Sequence, residues 1–200
     1  MIYPKPLEEL ILYFKKLPGI GEKSAERLAL SVVNFTNEDS ERFSNAIKKV
    51  NKNLQKCNIC ANLTDNETCN ICSNEHRDRN LICIVEDYKS IFMFEKIGKF
   101  NGVYHVLNGL ISPIDGINPE DINLNSLILR CEKKDEDIEL ILALKPSIEG
   151  EATSMYINKI LKKQNIKISR LSYGIPMGAE IDYLDTLTIE RALKDRQIIS

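Results

Sequence analysis

The chain has 200 residues, 43% of them hydrophobic, with 27 Lys/Arg against 29 Asp/Glu and a formal net charge of −2. That length suits one or two domains with a sizeable core and excludes a large multidomain enzyme. No apolar run reaches the roughly 20 residues of a membrane span, and the amino terminus, MIYPKPLEEL, lacks a basic stretch followed by an apolar one, so a cytoplasmic protein is expected.

The near-neutral total conceals an uneven distribution. Residues 1–56 carry ten Lys/Arg against seven Asp/Glu, 57–80 carry two against four, and 81–200 carry 15 against 18. A phosphate-binding surface is therefore to be sought in the first third.

Within that third, Leu7, Leu10, Ile11 and Phe14, then Ala25, Leu28, Ala29 and Val32, then Phe43, Ile47, Val50 and Leu54 recur at helical spacing. Three helices are predicted. LPGIGEKSAERLAL, residues 17–30, joins the first two. Gly19 and Gly21 permit backbone conformations and close approaches that a Cβ blocks. The helix that follows offers uncapped N–H groups and the positive end of its dipole to an anion. Lys23 and Arg27, four residues apart, add two cations on one helix face. This pattern looks like a helix-hairpin-helix that grips DNA phosphates without reading sequence. The competing view is an ordinary αα-hairpin with solvated charges.

Next come Cys57, Cys60, Cys69 and Cys72, two C-x2-C pairs in a segment poor in apolar residues. Two knuckles brought together complete a tetrahedral four-thiolate shell for Zn2+, whose binding supplies folding free energy that the segment lacks. A closed shell leaves no open coordination position, so one structural zinc per chain is expected. A redox C-x2-C is the alternative, and tandem pairs weigh against it. Cys83 and Cys131 lie in apolar, strand-like runs and read as core residues. His76 and His105 stand apart from other ligand types and read as structural or exposed.

From Leu81 onward, LICIVE, VYHVL, SLILRC, IELILAL and KISRLSYG read as strands. They alternate with helix-like YKSIFMFEKIG and ATSMYINKILKKQ, and DTLTIERALKDR closes the chain as an amphipathic helix. Such alternation predicts a mainly parallel sheet covered on both faces. Glu86-Asp87, after the first strand, and Glu149 and Glu151, after IELILAL, fall on loops at carboxyl ends of strands. There they can share a Mg2+, or Glu149 and Glu151 can simply favour a helix start. A Gly- and Pro-rich stretch as long as 104–121 is expected to be functional or to form an interface, though neither it nor 174–178 names a chemistry alone, and Tyr173 and Tyr183 carry no mark of an activated nucleophile.

The order of a PGIG hairpin, a four-cysteine module, and a sheet segment with IVE, YHVL-x-G-x-ISP-x-DGI-x-P, EGEAT and GIP-x-G resembles the bacterial RecR family over essentially the whole chain. The resemblance implies an α+β multidomain fold: a helix-hairpin-helix DNA-binding domain (1–56), a four-cysteine zinc finger (57–80), an α/β Toprim domain (81–175), and a carboxyl-terminal segment with a helix (176–200). It implies a DNA-repair mediator acting with RecO and RecF to load RecA onto single-stranded DNA, and a ring-forming homotetramer. Under it, Gly19, Gly21, Lys23 and Arg27 match the DNA-binding element, the four cysteines match the zinc ligands, and Glu86 matches the Toprim glutamate.

Two departures bear on chemistry. Lys145 stands before EGEAT, where it can pair with Glu149 or Glu151. The loop also offers Glu149-Gly150-Glu151, whereas catalytic Toprim enzymes carry Asp-x-Asp. The readings weighed are thus a non-enzymatic DNA clamp, a Mg2+-dependent phosphoryl-transfer enzyme of primase or nuclease type, and a zinc-ribbon adaptor that binds protein only.

Overall fold

The computed structural model describes residues 2–132, 137–162, 166–172, 174–196 and 198. It divides into two compact units, Met1–Leu54 and Gln55–Ser200.

The first unit holds the three predicted helices: α1 (Lys5–Lys15), α2 (Glu22–Val32) and α3 (Asn37–Asn53). Pro6 sits in the first turn of α1, where a missing N–H costs nothing. The Thr36 hydroxyl caps α3 by accepting from the Asp39 N–H at 3.1 Å. Ile11 packs against Ala25 and Ala29, with Leu7, Leu10, Phe14 and Ile20 around them. The two alanines lie one turn apart, and their small side chains let α1 approach α2 closely. Helix α3 differs, for it buries no residue. Its apolar stripe of Phe43, Ile47, Val50 and Leu54 faces outward.

The second unit opens with a ribbon of β1 (Gln55–Lys56) paired antiparallel to β2 (Leu63–Thr64), then a single turn, α4 (Asn70–Ser73). The remainder is β3 (Asp78–Val85), α5 (Tyr88–Ile97), β4 (Gly102–Val106), α6 (Leu124–Glu132), β5 (Ile138–Ala143), α7 (Ile148–Leu161), β6 (Ile166–Arg170) and α8 (Thr186–Lys194). The four long strands form one parallel sheet in the order β4-β3-β5-β6. Ile82, Ile84, Leu140 and Leu142 enter one cluster with Leu127, Ile157 and Leu161, while Cys83, Val85, Tyr104 and Val106 enter a second with Ile91. Both faces are therefore covered, as expected of parallel strands.

One predicted strand is a helix. SLILRC lies within α6, because the buried residues Leu124, Leu127 and Cys131 recur at spacings of three and four, while Leu129 faces solvent. The consecutive Leu-Ile-Leu mimics a buried strand, since periodicity cannot separate the two in so short a run. Cys131 is a core residue as expected, but from a helix.

The long 104–121 stretch is largely structural. Its first three residues belong to β4, and Leu107, Leu110 and Ile111 enter the core. Fully buried Thr153 accepts from the Ile111 N–H at 2.9 Å and donates to the Glu149 carbonyl at 2.7 Å, which binds this stretch to the EGEAT turn. A tip around Ile114, closed by a Ser112–Ile117 bridge, projects outward, and Asn118, Glu120 and Asp121 are also exposed.

The start of β3 is held by Arg77. Its guanidinium pairs with Glu95 and donates to the Phe100 and Gly102 carbonyls at 3.1 and 3.2 Å, while the Tyr104 hydroxyl donates to Glu95 at 2.7 Å. Gly150 explains its own place in EGEAT, since a Cβ there would stand 1.9 Å from the Lys145 carbonyl oxygen.

Helix propensity alone gives Gly150→Ala a gain of about 1 kcal/mol. The clash with rigid backbone reverses the sign, with an expected loss of about 3 kcal/mol. A thermal melt checks this: the midpoint should fall by about 6–12 °C, and an unchanged or raised midpoint contradicts the close approach.

Candidate nucleic-acid interface and metal centre

The hairpin turn is built as its residues require, with different roles for the two glycines. Gly19 has φ +79°, a conformation that disfavours any side chain. Gly21 is extended at φ −83° and ψ 177° and serves as N-cap of α2 without a capping side chain. Nothing lies within 4 Å of a Cβ built there, so its value is open access to the first N–H groups of α2 and not a special backbone. Lys23 and Arg27 are exposed on the side of α2 opposite buried Ala25 and Ala29. An ion pair between Lys15 and Glu22 brings a further cation from the end of α1 to the start of α2. This surface offers backbone donors and cations to a phosphate, but no array of side chains suited to base edges.

The four cysteines converge. All are buried, and their Sγ atoms lie within 4.8 Å of one another. Cys60 Sγ and Cys69 Sγ are 3.6 Å apart, and the Cys69 N–H donates to Cys57 Sγ at 3.3 Å. Such a set holds its protons jointly: hydrogen bonding with Cys69 and Cys72 drives the Cys60 thiol up, and hydrogen bonding with Cys60 and Cys72 drives Cys69 down. Four soft donors with no apolar core of their own, already accepting N–H at sulfur, fit a tetrahedral Zn2+.

The carboxylates do not converge. Among the described residues, the cysteines are the only group of three or more His, Cys, Asp or Glu that could hold a metal ion. Asp87 caps α5 by accepting from the Lys89 N–H at 2.7 Å. Glu149 lies in the first turn of α7, where hydrogen bonding with Ser147 holds it below the usual carboxylate range. Glu151 is paired with Arg170 at 3.1 Å and Arg191 at 3.5 Å, and Arg170 also reaches Asp195 at 3.5 Å. The partners of Glu151 are thus arginines from β6 and α8, while of the two carboxylates open to Lys145 it is Glu149 that feels its charge. A Mg2+ shared by Glu86, Asp87, Glu149 and Glu151 is not supported, because Asp87 and Glu149 serve helix starts and Glu151 binds cations. Arg170 and Arg191 escaped the sequence reading for want of a local signal, being 19 and 40 positions from Glu151.

His76 is exposed, outside the thiol cluster, and Tyr183 is exposed, while Tyr173 lies outside the described residues. His105 is fully buried. Its Nε2 donates to the Asn123 carbonyl at 2.9 Å, and its Nδ1 has no partner among the described residues. Desolvation pushes it down to about 4, with the nearby Arg130 adding repulsion against the hydrogen bond to Asn123. Cys83 is likewise a core residue, its thiol raised to about 12 by burial.

Sequence comparison decides the family. Residues 7–50 match the RecR helix-hairpin-helix, 54–74 the RecR four-cysteine zinc finger domain, 80–172 the Toprim domain and 174–197 the RecR C-terminal region. The chain is 46% identical over 196 residues, covering 98% of each chain, to the recombination protein RecR of Lactobacillus johnsonii. The same figures hold for the RecR of Staphylococcus aureus strain MRSA252. The chain belongs to the RecR family of recombination proteins. The resemblance read from PGIG, the cysteine pairs and EGEAT is therefore correct, as are the helix-hairpin-helix, four-cysteine module, Toprim sheet and carboxyl-terminal helix. No helix among the described residues is long and apolar enough to cross a membrane.

Two outcomes test these sites. Chelating the metal, or Cys57→Ser, should lower the melting midpoint by about 10 °C or more, since structural zinc supplies folding free energy. An unchanged melt after verified metal loss contradicts a structural role. His105 stays neutral in the fold down to about 4, whereas the unfolded chain takes up its proton near 6.5. Stability is therefore full above that value and is lost as pH falls from about 6.5 towards 4, by on the order of 3 kcal/mol. Denaturant titrations should show this loss in the parent and not in His105→Asn, and equal pH dependence in both contradicts it.

Proposed function

We propose that the protein is a non-enzymatic DNA clamp and mediator in recombinational DNA repair. The observation that carries this is the α1–α2 hairpin in a RecR-family chain: a left-handed Gly19, an uncapped start of α2 at Gly21, and Lys23 with Arg27 one turn apart. These groups hold double- and single-stranded DNA by its phosphates without sequence preference. Cys57, Cys60, Cys69 and Cys72 hold one structural Zn2+ that fastens their segment to the Toprim sheet. Consistent with the resemblance to its family, the protein works in the cytoplasm with RecO and RecF in loading RecA, and Glu86 and Glu149 belong to an acidic surface for such a partner.

Two phosphate cations per chain give weak retention. Self-assembly into a ring-like tetramer multiplies the binding elements without changing their chemistry. The outward apolar stripe of α3 supports assembly, because a 17-residue helix with no fully buried residue leaves an apolar side suited to cover from another copy. Against phosphoryl-transfer chemistry stands the commitment of Glu151 to two guanidiniums and of Asp87 to a helix cap.

Lys23→Ala/Arg27→Ala should strongly weaken DNA retention in a mobility-shift assay while leaving the melt unchanged. It should also flatten the slope of log affinity against log salt by about 0.9 for each duplex phosphate that is no longer neutralised. Unaltered retention contradicts the hairpin as the DNA element, and Mg2+-dependent cleavage or synthesis by the purified protein contradicts the non-enzymatic reading.

A further inference from the structure

We propose that the outer face of α5 is a docking site for an acidic, apolar peptide segment of a protein partner. This goes beyond the DNA-clamp reading and uses none of its residues.

Helix α5 has a clean division of faces. At 100° per residue, Lys89, Phe92, Met93, Lys96 and Ile97 share one arc about 140° wide, and Ile91, Phe94 and Glu95 point the other way. The inner set is committed: Ile91 is fully buried, Phe94 packs with Phe100 and Tyr104, and Glu95 is held by Arg77 and Tyr104. The outer set is largely exposed, although the Phe92 ring sits edge-on to Tyr88 with centroids 6.1 Å apart. Phe92 is 50% exposed, and Met93 and Ile97 are each 64% exposed. Lys89, Lys96 and Lys99, just past the helix end, are also exposed.

Charge complementarity selects the occupant. The only carboxylate on the helix is Glu95, withdrawn into the Arg77 network, and Asp87 at the helix start is engaged as its cap. The outer face therefore presents three cations around an apolar centre within a 120-residue segment that is otherwise acid-rich, with 15 Lys/Arg against 18 Asp/Glu. Single exposed apolar residues are ordinary, but three grouped on one helical arc and rimmed by like charges form a patch suited to a partner. A bare phosphate backbone uses the lysines and leaves Phe92, Met93 and Ile97 wet. A peptide alternating Asp with Leu or Phe uses both, its carboxylates steering to the lysines and its side chains covering the apolar centre.

The test uses the full-length protein and a fluorescein-labelled ten-residue peptide of alternating aspartate with leucine and phenylalanine, read by fluorescence anisotropy at low salt. Binding is expected, weakened about tenfold in Phe92→Ser and in Lys96→Glu and absent for the same peptide with lysine in place of aspartate. Lys96→Glu lies on the surface and its melt should match the parent, whereas Phe92→Ser also gives up the edge contact with Tyr88 and should lower the melt slightly without unfolding the protein. No binding of the acidic peptide, or binding that both variants leave unchanged, overturns the proposal. Loss of oligothymidylate binding in these variants, with peptide binding intact, also overturns it and makes the face a single-strand platform. DNA retention governed by Lys23 and Arg27 is measured separately, so failure here leaves the hairpin reading untouched.

Discussion

Four sulfur atoms within 4.8 Å of one another give a segment poor in apolar residues a place where a metal ion can hold it together. Residues 57–72 contribute almost nothing apolar of their own, yet they complete the Toprim sheet. Strand β4 is an edge strand all of whose residues are buried, an arrangement that leaves a row of polar backbone groups in need of partners. The Cys60 carbonyl accepts the Val106 N–H at 2.8 Å, Ala61 packs into the cluster on one sheet face, and Ile71 touches the cores on both. Arg79, from β3, reaches the Cys72 carbonyl at 3.4 Å. The knuckle is thus a structural cover for the sheet edge, and its thiolates set the conformation in which that cover fits.

A second constraint is the use to which the carboxylates are put. A parallel sheet gathers loops at the carboxyl ends of its strands, and acidic residues there invite a catalytic reading. In this chain those residues serve the fold. Asp87 begins α5, Glu149 sits at the start of α7, and Glu151 joins α7 to β6 and α8 through Arg170 and Arg191. The tight turn at Gly150, with the Thr153 link to Ile111, makes EGEAT a packing motif as much as a chemical one.

The PGIG turn and the paired cysteines were legible in the sequence because their meaning is local: a turn needs a left-handed residue, and a metal shell needs closely spaced ligand pairs. The parallel sheet was legible from its apolar runs. What escaped was non-local or short. Leu127-Ile128-Leu129 looks the same in a buried strand as in a helix, and Leu124 upstream with Cys131 downstream restores the helical spacing. The pairing of Glu151 with arginines of β6 and α8 depends on strand order, which no local window contains. Likewise the outward stripe of α3 reads as an ordinary core face, since periodicity marks an apolar side without saying what covers it.

On the clamp reading proposed above, each hairpin supplies few phosphate-binding groups, so tight DNA retention would require copies acting together. The most direct measurement is DNA binding and oligomeric mass on the same samples across a protein dilution series, by anisotropy and native mass spectrometry. Retention should rise in step with the oligomer and be negligible where only monomer is present. Equally tight binding by the monomer would contradict the clamp.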